Sequence, residues 1–370
     1  MADEAISRAL TRATALAARG PQRGGNPRVG CVILDPGGRT VAEGWHRGAG
    51  TAHAEADAIA RADPADLVGA TAVVTLEPCH HDGRTPPCSR ALHAAGISRV
   101  VYAVADPHPL AAGGARWLAA RGVEVTTARE AGVGEDVVRP AEQLVADWTT
   151  TVRRRRPWLV AKTAASLDGR AAAADGTSKW ITGTAARAHA HTVRADVDAI
   201  VVGTGTVLAD DPALSARHPD GTLREHQPLK VVVGHRPVPE RAALRAGMWR
   251  HLATHDLAGV LSRLWDAGAR RVLLEGGPTL LGAALRAGLV DELHAYLAPV
   301  LLGAGRPAVP ELGITTLSAA PRWRTTETHH LGEDLLVIAR PPEGDDQCSP
   351  DLSRRSALSP AAPTLTELAC

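Results

Sequence analysis

Phenylalanine is absent from this chain of 370 residues, and only two tyrosines and two methionines accompany its eight tryptophans. The cores must therefore be built from alanine, valine and leucine, with tryptophan as the large filler. Scarce rings also argue against binding single-stranded nucleic acid, which needs stacking platforms in a basic groove. An excess of one sign of charge is missing too: 41 Lys+Arg stand against 40 Asp+Glu, a formal net charge of +1. That excludes general electrostatic attraction to nucleic acid or to a membrane surface. No apolar run approaches membrane-spanning length. The start, Met1-Ala2-Asp3-Glu4, lacks the basic and apolar regions of a secretory signal. The five cysteines (Cys31, Cys79, Cys88, Cys348 and Cys370) are odd in number and irregularly spaced, a poor disulfide framework. The expectation is a cytoplasmic protein whose thiols stay free to bind metal.

What is present divides into two domains and a tail. Residues 1–148 alternate helical and strand patterns. Ile6, Ala9, Leu10, Ala13, Leu16 and Ala17 line one helix face. Strands are expected at 30–34, 41–45, 72–76, 99–105 and 123–125, and helices at 54–62, 89–95, 114–121 and 133–148. Such alternation indicates an α/β sheet covered by helices. Arg153-Arg154-Arg155-Arg156-Pro157 reads as a short solvated basic turn near the domain boundary. Residues 149–340 repeat the alternation, with strands at 158–164, 198–203, 229–233, 270–274, 292–297 and 334–339. Residues 341–370, rich in Pro, Ser and Ala without apolar periodicity, read as a disordered tail.

Chemistry concentrates between residues 53 and 88. His53, Cys79 and Cys88 are ligand types that zinc prefers, and three protein ligands leave the fourth tetrahedral position for water. H-x-E followed by Pro-Cys and a second cysteine is the pattern of zinc-dependent nucleobase deaminases. Residues two apart on a helix point in different directions. His53 and Glu55 therefore face one metal only if His53 caps the helix with non-helical backbone angles. Cys88 precedes a helical run, whose dipole favours thiolate. Glu55 would carry protons from the attacking water to leaving ammonia. A structural zinc is the competing reading, with His46, His80 or His81 as fourth ligand.

Several stretches together resemble the bifunctional deaminase–reductase family of riboflavin biosynthesis. They are Asn26-Pro27-Arg28-Val29-Gly30-Cys31-Val32-Ile33, Gly44-Trp45-His46, His53-Ala54-Glu55, and Thr75 through Cys88 with Gly83-Arg84-Thr85-Pro86-Pro87. The eight residues between Cys79 and Cys88 match that family rather than the two-residue gap of nucleic-acid-editing deaminases. The resemblance implies a cytidine-deaminase-like α/β/α domain with zinc on His53, Cys79 and Cys88, and Glu55 as catalytic residue. It further implies deamination of 2,5-diamino-6-ribosylamino-4(3H)-pyrimidinone 5′-phosphate. Asn26, Glu77, His81 and Arg84 align with substrate-contacting positions. His80 departs from the family, which carries a smaller residue there.

The resemblance continues through Lys162–Arg170, Ser178–Thr182, Asp198–Leu214, Leu274–Leu280, Gly288–Glu292 and Ala298–Gly303. It implies a dihydrofolate-reductase-like α/β domain that uses NADPH to reduce the ribosyl side chain to ribityl, in a homo-oligomer formed through this domain. By position, Ala164, Trp180, Thr206, Asp210 and Gly277 would contact the cofactor. Ser178, Arg194, Leu214, Arg217 and Glu275 would face the substrate. Arg194 and Arg217 suit a phosphate, being fixed charges able to bind it bidentately. Glu275-Gly276-Gly277-Pro278, between strand and helix, suits an anion. Gly203-Thr204-Gly205-Thr206 fails as a Rossmann fingerprint, because Leu208 stands where the third glycine belongs. Gly234 replaces a family aspartate, and the segment from Arg241 to Asp256 looks short of one strand. The shortfall motivates an alternative: a deaminase whose second domain has lost NADPH-dependent reduction. The arginine run motivates a nucleic-acid-editing deaminase, opposed by the charge balance and the missing rings. A non-catalytic zinc-binding protein is the remaining alternative.

Overall fold

The computed structural model describes residues 2–81 and 86–342. Arg84, Cys348, Cys370 and the expected tail from residue 343 onward lie outside the described residues. The chain divides into two compact units, Met1–Arg155 and Arg156–Cys370.

The first unit runs α1 (Ala2–Ala17), β1 (Gly30–Leu34), β2 (Thr40–Trp45), α2 (Ala54–Ile59), α3 (Pro64–Leu67), β3 (Thr71–Leu76) and α4 (Cys88–Ala94). Then come β4 (Arg99–Val104), α5 (Gly114–Ala119), β5 (Glu124–Thr127) and α6 (Glu135–Arg154). The sheet has the order β2-β1-β3-β4-β5; β1 is antiparallel to both neighbours, and β3, β4 and β5 are parallel. The inner strands β1, β3 and β4 are mostly apolar because both faces are covered. Cys31, Ile33 and Val74 pack against Ala54, Ala58, Leu92 and Leu118 on one side. Val32, Leu34 and Val73 meet Leu10, Ala13 and Val138 on the other. The apolar face expected of the first helix is fully buried.

The last helix extends past the expected residue 148 and absorbs Arg153 and Arg154 into its final turn. There their charges complement the helix dipole. The expected basic turn is thus largely helix. Arg155, in the left-handed region at φ 51°, ends it, and Arg156 is no solvated charge, since it pairs with Asp291 at 2.7 Å.

The second unit runs β6 (Trp158–Ser166), α7 (Thr184–Ala195), β7 (Ala199–Gly203), α8 (Thr204–Asp210), β8 (Leu229–Val233), β9 (Trp249–Leu252) and α9 (Leu257–Asp266). It finishes with β10 (Arg271–Leu274), α10 (Pro278–Arg286), β11 (Glu292–Ala298), β12 (Arg324–Leu331) and β13 (Asp334–Arg340). Its sheet order is β12-β13-β11-β6-β10-β7-β8-β9, parallel from β11 to β9 with β13 and β12 antiparallel at one edge. The expected missing strand is present: Trp249–Leu252 lies parallel to β8 and forms the edge. Its sequence, Trp-Arg-His-Leu, is half polar because an edge strand is only partly covered, so it lacks the apolar run of the inner strands. The exposed β12 is polar for a similar reason. Helix α9 completes the core with Leu257, Val260, Leu261 and Leu264 on one face.

One contact fixes the geometry of the first unit. An added Cβ at Gly44 in β2 would run into the Ala54 carbonyl and the Ala58 amide. Only glycine lets α2 lie this close to the sheet. In the second unit, Glu292 accepts from Arg271 at 2.7 Å, from Arg340 at 2.7 Å and meets His294 at 2.8 Å, all but Arg340 buried. Burial pushes the Glu292 carboxyl up, but Arg271, His294 and Arg340 more than reverse this and hold it well below the usual range.

Two outcomes follow from these contacts. Gly44→Ala should cost about 1–3 kcal/mol by overpacking, read as a lower denaturation midpoint together with reduced metal retention. Because Glu292 has a depressed folded-state pKa, its contribution is present above the unfolded carboxyl pKa of about 4.3 and is lost as pH falls below it. Urea titrations should therefore show a smaller loss between pH 5 and pH 3 (about those values) for Glu292→Gln than for the parent.

Candidate active sites

In the first unit, His53 caps α2 at φ −68° and ψ 160°, the extended geometry that the spacing to Glu55 requires. Cys79 follows β3, and Cys88 is the first residue of α4. His53 Nδ1 lies 3.5 Å from Cys79 Sγ and 3.3 Å from Cys88 Sγ. Their ligand atoms all fall within 4.8 Å of one another, the one such group among the described residues. Glu55 is buried beside them.

The electrostatics fit a divalent metal. Cys79 is drawn well below the usual thiol range by the hydrogen bond from Cys88 and by His53. Cys88 is pushed up by that same bond, by burial and by Glu55. One negative charge is thus shared between two sulfurs, and a zinc ion would let both be thiolates. Burial raises Glu55, and Cys79 adds to it.

None of the other histidines belongs to this group. His46 is buried with Nδ1 donating to the Ala52 carbonyl at 3.0 Å and Nε2 accepting from Asn26 Nδ2 at 3.0 Å. His80 turns to Ser89 Oγ at 2.8 Å and packs on Trp117 with ring centroids 5.1 Å apart. Among the described residues no fourth protein ligand joins the three. That is the arrangement of a catalytic zinc site rather than a closed structural one.

A cavity of about 160 Å³ adjoins the cluster, lined by Asn26, Glu77 and His81 as well as His53, Glu55 and Cys79. His81 Nδ1 is buried there without a hydrogen-bond partner. Glu77 is differently engaged: it accepts backbone N–H groups of Asp106 (3.2 Å), Gly113 (3.1 Å) and Ala115 (3.1 Å). Its carboxylate therefore holds the loop after β4 in place. Asp106, pushed up to about 6 by burial and the nearby Glu77 and Cys79, and His108 also line the cavity. The sequence reading passed over both. The available signal was their place just beyond a parallel strand, where α/β sheets bind ligands.

In the second unit, all ten residues assigned to substrate or cofactor line one cavity of about 1520 Å³. They are Ala164, Ser178, Trp180, Arg194, Thr206, Asp210, Leu214, Arg217, Glu275 and Gly277. Pockets for one ligand typically occupy about 300–1,000 Å³, so this one has room for two. Arg194 is already matched, its Nε and Nη2 on Glu275 Oε2 at 2.9 and 2.7 Å and its Nη1 on the Ser215 carbonyl. Among the described residues Arg217 meets only neutral acceptors, Ser215 Oγ at 3.0 Å and the Gly221 carbonyl at 2.7 Å. Burial pushes Glu275 up, yet Arg194 and then Lys162 bring it below its ordinary value. Its Oε1 is buried without a hydrogen-bond partner, 3.7 Å from Lys162 Nζ. Lys162 is a cavity residue that had no individual assignment; its signal was the one charged residue in a mostly apolar strand. The Gly277 amide of the expected anion cradle already donates to Thr206 Oγ1 at 2.9 Å. Leu214 is buried in the left-handed region at φ 52°, a conformation its surroundings must enforce.

Two family models match. The cytidine and deoxycytidylate deaminase zinc-binding region covers residues 3–104, and the RibD C-terminal domain covers residues 157–337. These define a zinc-dependent deaminase domain followed by an NADPH-dependent reductase domain, cytidine-deaminase-like and dihydrofolate-reductase-like in fold. Riboflavin biosynthesis protein RibD of Mycobacterium tuberculosis (strain ATCC 25618 / H37Rv) is 48% identical over 313 residues, covering 84% of this chain and 90% of the relative. That of Escherichia coli (strain K12) is 38% identical over 367 residues, covering 89% and 97%. Among solved structures, Acinetobacter baumannii RibD superposes with a TM-score of 0.81 at 35% identity, covering 92% of this chain and 100% of that one. A Thermotoga maritima diaminohydroxyphosphoribosylaminopyrimidine deaminase/5-amino-6-(5-phosphoribosylamino)uracil reductase gives 0.79 at 30% identity with the same coverage. The chain belongs to the RibD family of riboflavin biosynthesis proteins. No helix among the described residues is long and apolar enough to cross a membrane.

Metal analysis tests the cluster directly: the parent should hold one zinc per chain, and Cys88→Ala should lose it while keeping its far-ultraviolet circular dichroism.

Proposed function

We propose that residues 1–148 carry the deaminase and 149–340 the reductase of this family's bifunctional enzyme, with His53, Cys79 and Cys88 holding zinc and Glu55 moving the protons. The carrying observation is the convergence of these three ligands, with a buried carboxylate beside them, on a cavity sized for a small heterocycle. The substrate is a phosphorylated diaminopyrimidinone ribosylamine. Bound by these residues, zinc would supply a water acidified enough to attack near neutral pH. Glu55 would hold the proton released as water adds to the ring and deliver it to the 2-amino nitrogen. A carbon–oxygen bond forms, the carbon–nitrogen bond breaks and ammonia leaves. Burial helps Glu55 hold the proton between the two transfers. Asn26, oriented by His46, and His81, with its unpartnered Nδ1, read the pyrimidine edge. Glu77 shapes the pocket through the loop it holds. Arg84 is kept as a phosphate contact on sequence grounds.

The deaminated product is the substrate of the second half, where NADPH supplies hydride to reduce the ribosyl group to ribityl. Arg217, uncompensated by any carboxylate among the described residues, takes the phosphate. Arg194 and Lys162 keep Glu275 ionised, so its free Oε1 accepts from the substrate. Ser178 and Leu214 complete the substrate side, and Ala164, Trp180, Thr206, Asp210 and Gly277 the cofactor side. The alternative without reduction loses its motive, because the strand at Trp249–Leu252 is in place. Exposed Leu167 and Leu301, on segments joined by the bond from Leu167 N to Val300 O, support a homo-oligomer through this unit. Free thiols as metal ligands suit the cytoplasm.

Two assays check this reading. Glu55→Gln should retain zinc while ammonia release falls by at least about 10²–10⁴-fold; release that survives removes Glu55 from its role. The parent, given the deaminated intermediate, should oxidise NADPH, and absence of oxidation would sink the reductase assignment.

A further inference from the structure

Helix α7 carries a histidine without an assigned role on the side it turns to the large cavity. His191 and Arg194 stand three residues apart, so they share one side of the helix, and both line the cavity with Ala186 and Ala190. His191 is half-buried. Its Nδ1 lies 2.9 Å from the Ser215 carbonyl oxygen. A carbonyl only accepts, so Nδ1 carries the hydrogen and the tautomer is fixed. Nε2 has no hydrogen-bond partner among the described residues.

Ser215 gathers three side chains. Its carbonyl also accepts from Arg194 Nη1 at 3.1 Å, and its hydroxyl accepts from Arg217 Nε at 3.0 Å. His191 and Arg217 are therefore anchored on one buried residue and line the same cavity. The charged groups that act on the ring are Arg194 on its own helix, Arg217 on the loop after α8 and Glu275 just beyond β10. Lys230, buried in β8, lies within the field of both arginines and adds to the positive charge. Glu275 answers Arg194 at 2.7 Å, whereas Arg217 rests on neutral acceptors. Burial first, and then Arg194, hold His191 below the ordinary imidazole range. A phosphate dianion brought to Arg217 reverses that balance. It favours the imidazolium, whose Nε2 is then an N–H donor.

We propose that His191 is a further substrate-binding residue of the second unit: it gains a proton from solvent as the substrate's phosphate arrives and donates from Nε2 to that phosphate beside Arg217, while Ser215 positions both side chains. The proposal rests on the reductase reading and on Arg217 as a phosphate residue. The proton returns to solvent when the phosphate leaves. His191 acts on affinity and not on hydride transfer.

The test uses the full chain, the deaminated phosphorylated intermediate and the same compound freed of its phosphate, with binding read by calorimetry before NADPH is added. His191→Gln keeps a polar end but takes up no proton. It should weaken the phosphorylated compound by about tenfold at about pH 6, the worth of one hydrogen bond to a charged group, and leave the phosphate-free compound unmoved. The free ring titrates below about 6.5 and the bound ring above it, so the parent's advantage is fullest on the acid side and shrinks as pH rises to about 8. At about pH 7 the parent should take up more protons on binding than His191→Gln, and this difference cancels those exchanged by the phosphate, whose own pKa is about 6. Ser215→Ala keeps the carbonyl, so it should weaken the phosphorylated compound while the pH-dependent part survives. In the reductase assay both variants should raise KM for the intermediate with kcat little changed. Equal weakening of the two compounds makes His191 a reader of the sugar and overturns the proposal, as does a parent advantage that stays constant with pH. A parent that neither binds the phosphorylated compound nor oxidises NADPH with it defeats the reductase reading itself. A parent that does both, matched by His191→Gln throughout, defeats only the assignment of His191.

Discussion

The deaminase site depends on how closely α2 approaches the sheet. Gly44 presents no Cβ to the Ala54 carbonyl and Ala58 amide, so the helix start sits nearly against β2. His53 can then leave helical geometry at the cap while Glu55, on the first turn, still faces the same point. Cys79 and Cys88 reach that point from the end of β3 and the start of α4. A helix displaced outward by one methyl group would carry His53 and Glu55 away from both sulfurs together. Packing precision and chemistry are therefore the same constraint here.

The two units handle charge differently. In the first, burial of Glu55 and of the cysteines makes charge expensive, and the cluster relieves the cost by sharing one negative charge between sulfurs. That tension is what a divalent cation resolves. In the second, charge is matched in advance: Arg194 and Lys162 flank Glu275, and Arg271 and Arg340 flank Glu292. Arg217 stands outside these pairs and is held by neutral acceptors among the described residues.

Much of this was legible in the residues. The candidate zinc ligands follow from residue type and order, and the cap geometry of His53 follows from the two-residue offset to Glu55. Inner strands such as Ala199–Gly203 and Leu229–Val233 are apolar runs bounded by turns, so they announce themselves. Edge strands do not. Trp249–Leu252 and Arg324–Leu331 are covered on few sides, need few apolar residues and leave little periodic signal. The short α8 was hidden behind a glycine-rich stretch that resembles a loop.

By itself the sequence determined the candidate ligand set, the candidate acid–base carboxylate and the class of chemistry. These depend on the identity of side chains and on spacings within a single helix or loop. Tertiary structure alone decided which polar groups remain available. Whether Glu77 reads a substrate or ties down a loop depends on three amides far along the chain. Whether Arg194 or Arg217 keeps a free charge depends on Glu275, and whether His46 ligates metal depends on Asn26 and Ala52. Hydrogen bonds between distant segments consume donors and acceptors, and no local pattern records which ones are spent.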